Sequence, residues 1–329
     1  MSLPNVHRNQ TVLPDLSLNN LSVAGSDSGS TNALRLMTEP FDRRFGTIIR
    51  VYPDVKLSGK SAYMNILKAM INLSYSEGTH AYAGETFSFP GYTNVKIRIT
   101  PATSSSSDLQ YRFAIWGLYR SADYLTMANG FSVIIANLYW SASGSKVLVG
   151  VIEIFPDPLP DILESKEIQS FVGTSRQAET LPNFGKLANI SYVGSNETDL
   201  ASPTNAGKLS VFLELQGPVL SIPEVFMMLF RALVHIASFG TAQIVHAFQV
   251  RHMDTMTELV YEDYGAPRTS PPFFVYHEAA RALGYIPKFM FAQHKFEAVT
   301  FVLEIDGTPI ATGYLRKFSS TSSVASQKV

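Results

Sequence analysis

The chain has no cysteine in 329 residues. Disulfides, thiolate catalysis and cysteine-ligated zinc are therefore excluded, although the compartment is not fixed, because a large core does without disulfides. Charge is also scarce: Asp, Glu, Lys and Arg make up 16% of the residues, against roughly 25% in ordinary soluble chains. The net charge is −1 and there is no long basic run, so the electrostatic footprint of a nucleic-acid binder is missing. No G-x-S-x-G elbow, Walker A loop, H-E-x-x-H pair or dinucleotide fingerprint occurs, and no residue pattern calls for a catalytic group, a metal or a cofactor. No apolar run follows Met1 as a signal peptide would. The chain would be a secreted one if it is the trimmed form of a longer precursor.

An uninterrupted membrane-length run is lacking too. Residues 219–238 are about long enough to span, but Pro223, Glu224, Arg231 and His235 interrupt them, which favours a buried helix over a membrane span.

What the chain does have is a pattern written twice. Tyr111, Ile115, Leu118, Ala122 and Leu125 recur at the spacing of one helix face. Asp108 is placed to cap the start, and Asn129-Gly130 suits the stop. Phe131 to Trp140 reads as a strand, residues 141–145 as a turn, and Val147 to Phe155 as the returning strand. The same order returns near Pro271, with a helix over Tyr276 to Ala292, a strand over Phe296 to Ile305, a turn at Asp306-Gly307 and a strand over Ile310 to Phe318. At a shift of about 165, Phe131 meets Phe296 and Leu138 meets Leu303. Gly150 and Phe155 meet Gly313 and Phe318. The match extends backwards, since Tyr63, Ile66, Leu67, Met70 and Leu73 share their spacing with Phe226, Leu229, Phe230, Leu233 and Ile236, 163 residues on. Flanking strands are expected at Thr47 to Val51 and Lys208 to Leu215, and at Val95 to Thr100 and Ile244 to Val250, the latter two as counterparts.

This predicts an α+β fold, an internal duplication of a β-α-β-α-β-β unit with antiparallel sheets covered by helices. The period is longer than the roughly 20–50 residues of solenoids and propellers, and fits two lobes of one architecture. Residues 1–38 read as a flexible tail, 39–156 as the first unit, 157–206 as a long connector, 207–318 as the second unit and 319–329 as a second tail. Candidate N-glycosylation acceptors stand in the connector at Asn189 and Asn196, and further sequons at Asn9, Asn20 and Asn72.

Comparing the copies singles out a stripe on the second helix. Arg112, Trp116, Arg120 and Asp123 lie opposite its apolar face, and the repeat has His277, Arg281, Tyr285 and Lys288 there. Rings interleaved with cations stack planar groups and neutralise anions, which makes Arg112, Trp116, Arg120, His277, Arg281 and Tyr285 candidate ligand-binding residues. On the first helix Lys68 and Asn72 correspond to Arg231 and His235. His246, His252 and Asp254 share one side of a straight strand, but six residues separate the histidines by roughly 20 Å, too far for one metal ion.

The run Tyr111 to Leu118 (YRFAIWGL), with the hairpin behind it, resembles a group of fungal proteins in which a helix of the R-[FY]-x-I-W-G-L kind leads into a β-hairpin. The resemblance covers residues 60–155 and implies a structural unit without any assigned activity or catalytic residue. The second half departs from it, with Arg281-Ala282-Leu283 where Trp116-Gly117-Leu118 stands. The expectation is a non-catalytic structural or recognition protein with a protein partner or a second copy of itself, a shell-forming role included. The competing class is an enzyme or small-molecule binder with an Arg/aromatic pocket between the two units.

Overall fold

Serines cap the first helix of each half: Ser58 accepts from the Ser61 N–H, and Ser221 accepts from the Glu224 N–H while Glu224 reaches back to the Ser221 N–H. These side chains satisfy donors that the first helical turn leaves open. The computed structural model describes residues 42–102, 109–128, 130–142, 145–158, 207–265 and 268–318. The proposed tails, nearly all of the connector, and Asp108, Asn129, Asn189 and Asn196 lie outside them.

The first half contains β1 (Phe45–Lys56), α1 (Gly59–Ser74), β2 (Glu85–Phe87), β3 (Val95–Pro101), α2 (Tyr111–Met127), β4 (Ser132–Ala142) and β5 (Ser145–Pro156). The second contains β6 (Leu209–Val219), α3 (Ile222–Ile236), β7 (Ala247–His252), β8 (Thr257–Asp263), α4 (Tyr276–Leu283), α5 (Tyr285–Gln293), β9 (Glu297–Ile305) and β10 (Thr308–Lys317). Each half forms one antiparallel five-stranded sheet, ordered β1-β4-β5-β3-β2 and β6-β9-β10-β8-β7. The fold is α+β and the duplication is real.

The repetition reaches single hydrogen bonds. The Leu57 N–H donates to Phe131 O at 2.9 Å, and Leu220 to Phe296 O at 2.8 Å. Tyr82 donates to Leu109 O and Val245 to Phe274 O, beside matching isolated bridges at Ala81–Gln110 and Ile244–Val275. A β-bulge falls between Tyr52 and Lys56, and again between Leu215 and Val219. The second helix of each half starts without a side-chain cap, at Gln110 and at Val275. Loop carbonyls take that role: Arg112 N–H donates to Gly78 O and His277 N–H to Thr241 O.

Four expectations need correction. Each half holds one strand more than β-α-β-α-β-β, namely β2 and β8. By sheet position the counterpart of β3 is β8, so the strand at 95–100 corresponds to 257–263 and not to 244–250. The hairpin glycines are two residues out of step, because Leu138 faces Gly150 whereas Leu303 faces Ala311. Finally, the helix over 276–292 is broken at Gly284 into α4 and α5. Pro287 explains the break: it has no N–H for the carbonyl of Leu283, and its ring would clash with that carbonyl in a continuous helix.

The helices lie between the sheets. α1 and α2 pack on the first sheet, α3 and α4 on the second, and a continuous core joins both halves. At the junction Tyr63 stacks on Phe226 with ring centroids 4.7 Å apart and planes within 6°. These two residues occupy the same position in the two copies. A residue that touches its own counterpart marks an isologous contact, so an approximate two-fold axis passes beside this stack. The other junctions obey the same relation, since α2 packs on α3 as α4 packs on α1. Among the described residues no helix is long and apolar enough to cross a membrane.

Candidate functional site

A helix in the middle layer has two buried sides, one against its sheet and one against the other half. The stripes opposite the sheet-facing residues are therefore largely packed. Trp116 is 5% exposed, His277 3% and Tyr285 4%. Trp116 sits edge-on to Phe45 at 5.3 Å and beside Phe113 at 5.7 Å. Arg112 lies over the Trp116 ring at 5.7 Å and receives a side-chain acceptor from Gln110, its Nε donating to Oε1 at 2.7 Å. Trp140 completes the cluster, with Arg44 over its ring at 4.5 Å and Arg112 at 5.8 Å. The Arg44 guanidinium beside Asp42 holds that carboxyl down at about 2. Arg120 is exposed.

In the second half His277 stacks on Tyr75 of the first, centroids 4.4 Å apart. Arg281 donates to the buried Glu278 at 3.2 Å. Lys288 lies over the Tyr285 ring at 5.3 Å. Counting from equivalent helix starts, Phe113 and Trp116 occupy the places of Glu278 and Arg281. An aromatic pair in one half thus stands where a buried ion pair stands in the other.

The six candidates do not converge. Arg112, Trp116 and Arg120 ride on α2, His277 and Arg281 on α4, and Tyr285 opens α5. α1 and α3 pack on each other between α2 and α4, filling the ground where a pocket shared by the stripes would lie. The cross-half contacts there are apolar or locally satisfied: Tyr63 OH bonds Thr126 Oγ1 at 2.8 Å, and Thr126 meets Met227 Sδ at 3.6 Å.

The structure does gather polar groups that spacing alone could not connect. Asp123 on α2, Arg231 on α3, and His252 and Asp254 at the β7–β8 turn act on one another across the junction. Burial pushes the Asp123 carboxyl up, opposed by Arg120 and Arg231 and reinforced by Asp254. Burial and then Arg231 push the His252 imidazole down, with Asp254 opposing. Tyr119 bonds Arg231 in the same group. His252 also contacts Thr255 Oγ1 at 3.0 Å. His246 turns the other way, its Nδ1 2.7 Å from Asp263 Oδ2. Among the described residues no cluster of three or more His, Asp or Glu is arranged to hold a metal. The depression lined by His246, Asp263, Tyr264 and Arg268 encloses about 10 Å³, roughly the room of one water molecule and far below the roughly 300–1,000 Å³ of pockets that bury small molecules.

The outer face of each sheet is accessible in part, Val133 and Phe155 on the first being buried. On the first, Ile48, Arg50, Tyr52, Val133, Ile135, Tyr139, Val151, Glu153, Phe155, Lys96 and Arg98 alternate with the helix-facing residues. Val133 and Phe155 form a small cluster apart from the main core, with Tyr52, Val55 and Leu57 packed on it. On the second, Glu258 is 2% exposed and accepts from Gln249 Nε2 at 2.8 Å, Arg251 Nε at 3.1 Å and Arg316 Nε at 2.9 Å. Phe212, by contrast, is 44% exposed there.

No protein-family model and no curated protein matches the chain, so the resemblance at Tyr111–Leu118 rests on those residues alone. Among solved structures the chain is similar to the tandem DUF26 ectodomain of the cysteine-rich receptor-like protein PDLP8 from Arabidopsis thaliana, at 7% identity and a TM-score of 0.22, over 82% of this chain and 95% of that one. The PDLP5 ectodomain gives 8% and 0.19, over 82% and 98%. A conserved protein of unknown function with a hot dog fold from Alicyclobacillus acidocaldarius gives 12% and 0.12, over 85% and 95%. Overlaps this small carry no argument about fold or function.

Proposed function

We propose that this is a non-catalytic structural or recognition protein that works through the outer faces of its two sheets. One observation carries the reading: the ring side chains with ligand-like chemistry on α2, α4 and α5 are packed away from solvent, with Trp116, His277 and Tyr285 each at most 5% exposed. The sheets keep broad outer faces on which rings, aliphatic side chains and charges alternate, the composition of a surface that meets another protein. Native mass spectrometry of the protein taken from its natural source tests this. The expected spectrum retains a second protein chain and no stoichiometric small molecule. A bare monomer, or a bound small molecule that Arg112→Ala or His277→Ala releases, overturns the reading.

A further inference from the structure

The two outer faces, one on each sheet, point away from each other, because the helical layer lies between the sheets. Equivalent positions on them can be read through the strand registers. Arg50 faces Ile135 on the first sheet, and Glu214 faces Thr300, the residue equivalent to Ile135, on the second. Lys96 faces Phe155 where Glu258 faces Arg316. Thr100 corresponds in the same way to Glu262, and Tyr139 to Glu304. Duplication has thus been followed by charge inversion at two equivalent sites and by added acids at two more. The first face carries Arg50, Lys96 and Arg98 against Glu153, which pairs with Arg98, and Asp157, which pairs with Lys96, so its cations are one ahead. The second carries Glu214, Glu258, Glu262 and Glu304 against Arg251 and Arg316, and both of these arginines are engaged by Glu258. The surplus is cationic on one end of the molecule and anionic on the other.

Apolar groups accompany the charges. Ile48 and Phe212 are equivalent by register, and Phe212 is 44% exposed in the middle of its strand. The sheet edges are poorer docking sites. β1 and β6 are edge strands, and each is broken near its bulge by a proline, Pro53 and Pro218, which has no N–H to extend a ladder.

Resting on the recognition reading above, we infer that the partner is a second copy of this chain, docked head to tail with the cationic outer face of one copy against the anionic outer face of the next. Face-to-face pairing of two first sheets would set Arg50 and Lys96 against like charges, and pairing of two second sheets would oppose carboxylates. The mixed pairing brings the two opposite surpluses together. Such a contact is heterologous and each copy keeps one open face of each kind, so it extends into a row unless rotation closes a ring.

Sedimentation velocity on the full chain tests this, at low ionic strength and again in about 1 M salt, where the screening length falls to about 3 Å. The expected result is concentration-dependent association at low salt that reverts to monomer in high salt. Arg50→Glu with Lys96→Glu spoils only the first face. Glu214→Arg with Glu262→Arg spoils only the second. Each double variant alone should associate roughly a hundredfold or more weakly, since like charges then oppose across the contact. An equimolar mixture of the two should associate again, because the intact second face of one meets the intact first face of the other and the two reversed faces also oppose opposite charges. Unchanged thermal unfolding checks that the variants fold, and Arg50→Glu alone serves if the double variant does not. A wild-type chain that stays monomeric at low salt overturns the inference, as does a double variant that associates like wild type or a mixture that stays unpaired. If the wild-type chain is monomeric yet carries a different protein from its natural source, the head-to-tail contact fails while the recognition reading survives. A bound small molecule there fails the recognition reading.

Discussion

The helix-facing sides of the two sheets are nearly copies of each other, while their outer sides are almost opposites. On the inner sides Ile97 and Ile99 of the first half correspond by register to Leu259 and Tyr261 of the second, and all four are at most 2% exposed. On the outer sides Lys96 and Phe155 in one half become Glu258 and Arg316 in the other. Close packing accounts for the contrast, because an inner residue must stay apolar to fill space shared with the helices. Outer residues answer only to solvent and to whatever docks there. The same lesson holds within the helical layer, where Phe113 and Trp116 give way to Glu278 and Arg281. Position was kept while the means of satisfying it changed.

The comparison breaks first at the junction. Phe226 is fully buried and stacked on its own counterpart. Phe226→Ala should cost about 3–5 kcal/mol, read from denaturant unfolding. The two halves should still unfold in one transition, because their core is continuous; separate transitions would show that the halves are independent. Next comes His235, whose counterpart in the first half is the exposed Asn72. Its ring is packed against Phe239 and Phe248, at 5.0 and 5.4 Å, and burial lowers its pKa to about 4. The unfolded chain takes up a proton below about 6.5 and the folded one does not. Stability should therefore fall as pH drops from about 6.5 to 4, by up to about 3 kcal/mol. His235→Asn should flatten that slope in thermal melts across the window. Smaller again, and sharpening the contrast between the faces, Glu258→Ala leaves two arginines without their carboxylate. It should cost about 2 kcal/mol, less than a fully buried pair because Arg316 is half exposed. The equivalent Lys96→Ala removes only a surface pair with Asp157 and should cost under about 1 kcal/mol. Equal costs would deny that the two outer faces are built differently.

Much of this was legible in the sequence because a helix face leaves a period. Tyr63 to Leu73 and Phe226 to Ile236 declared themselves that way, and so did the hairpins. β2 stayed hidden because three residues carry no period, and β8 because its run from Thr257 to Tyr261 is buried at every position and so does not alternate. That in turn misled the pairing of 95–100. The stripes were misjudged for a related reason. Spacing shows which residues share a side of a helix, but not that the opposite side meets another helix and not water. Trp116, His277 and Tyr285 were visible as a pattern, while their burial came from residues distant in sequence, such as Phe45 of β1 beside Trp116 and Tyr75 of the other half beside His277. The group of Asp123, Arg231, His252 and Asp254 had no local signal at all.

The ring of Tyr63 lying flat on that of Phe226 has a consequence for how the ends of the molecule came to differ. Two separate identical chains meeting there would be bound to wear the same charges at both extremities, since every change in one would appear in its twin. Joined in one polypeptide, the twins are released from that rule. One extremity is free to turn basic and the other acidic while the seam between them stays as it was.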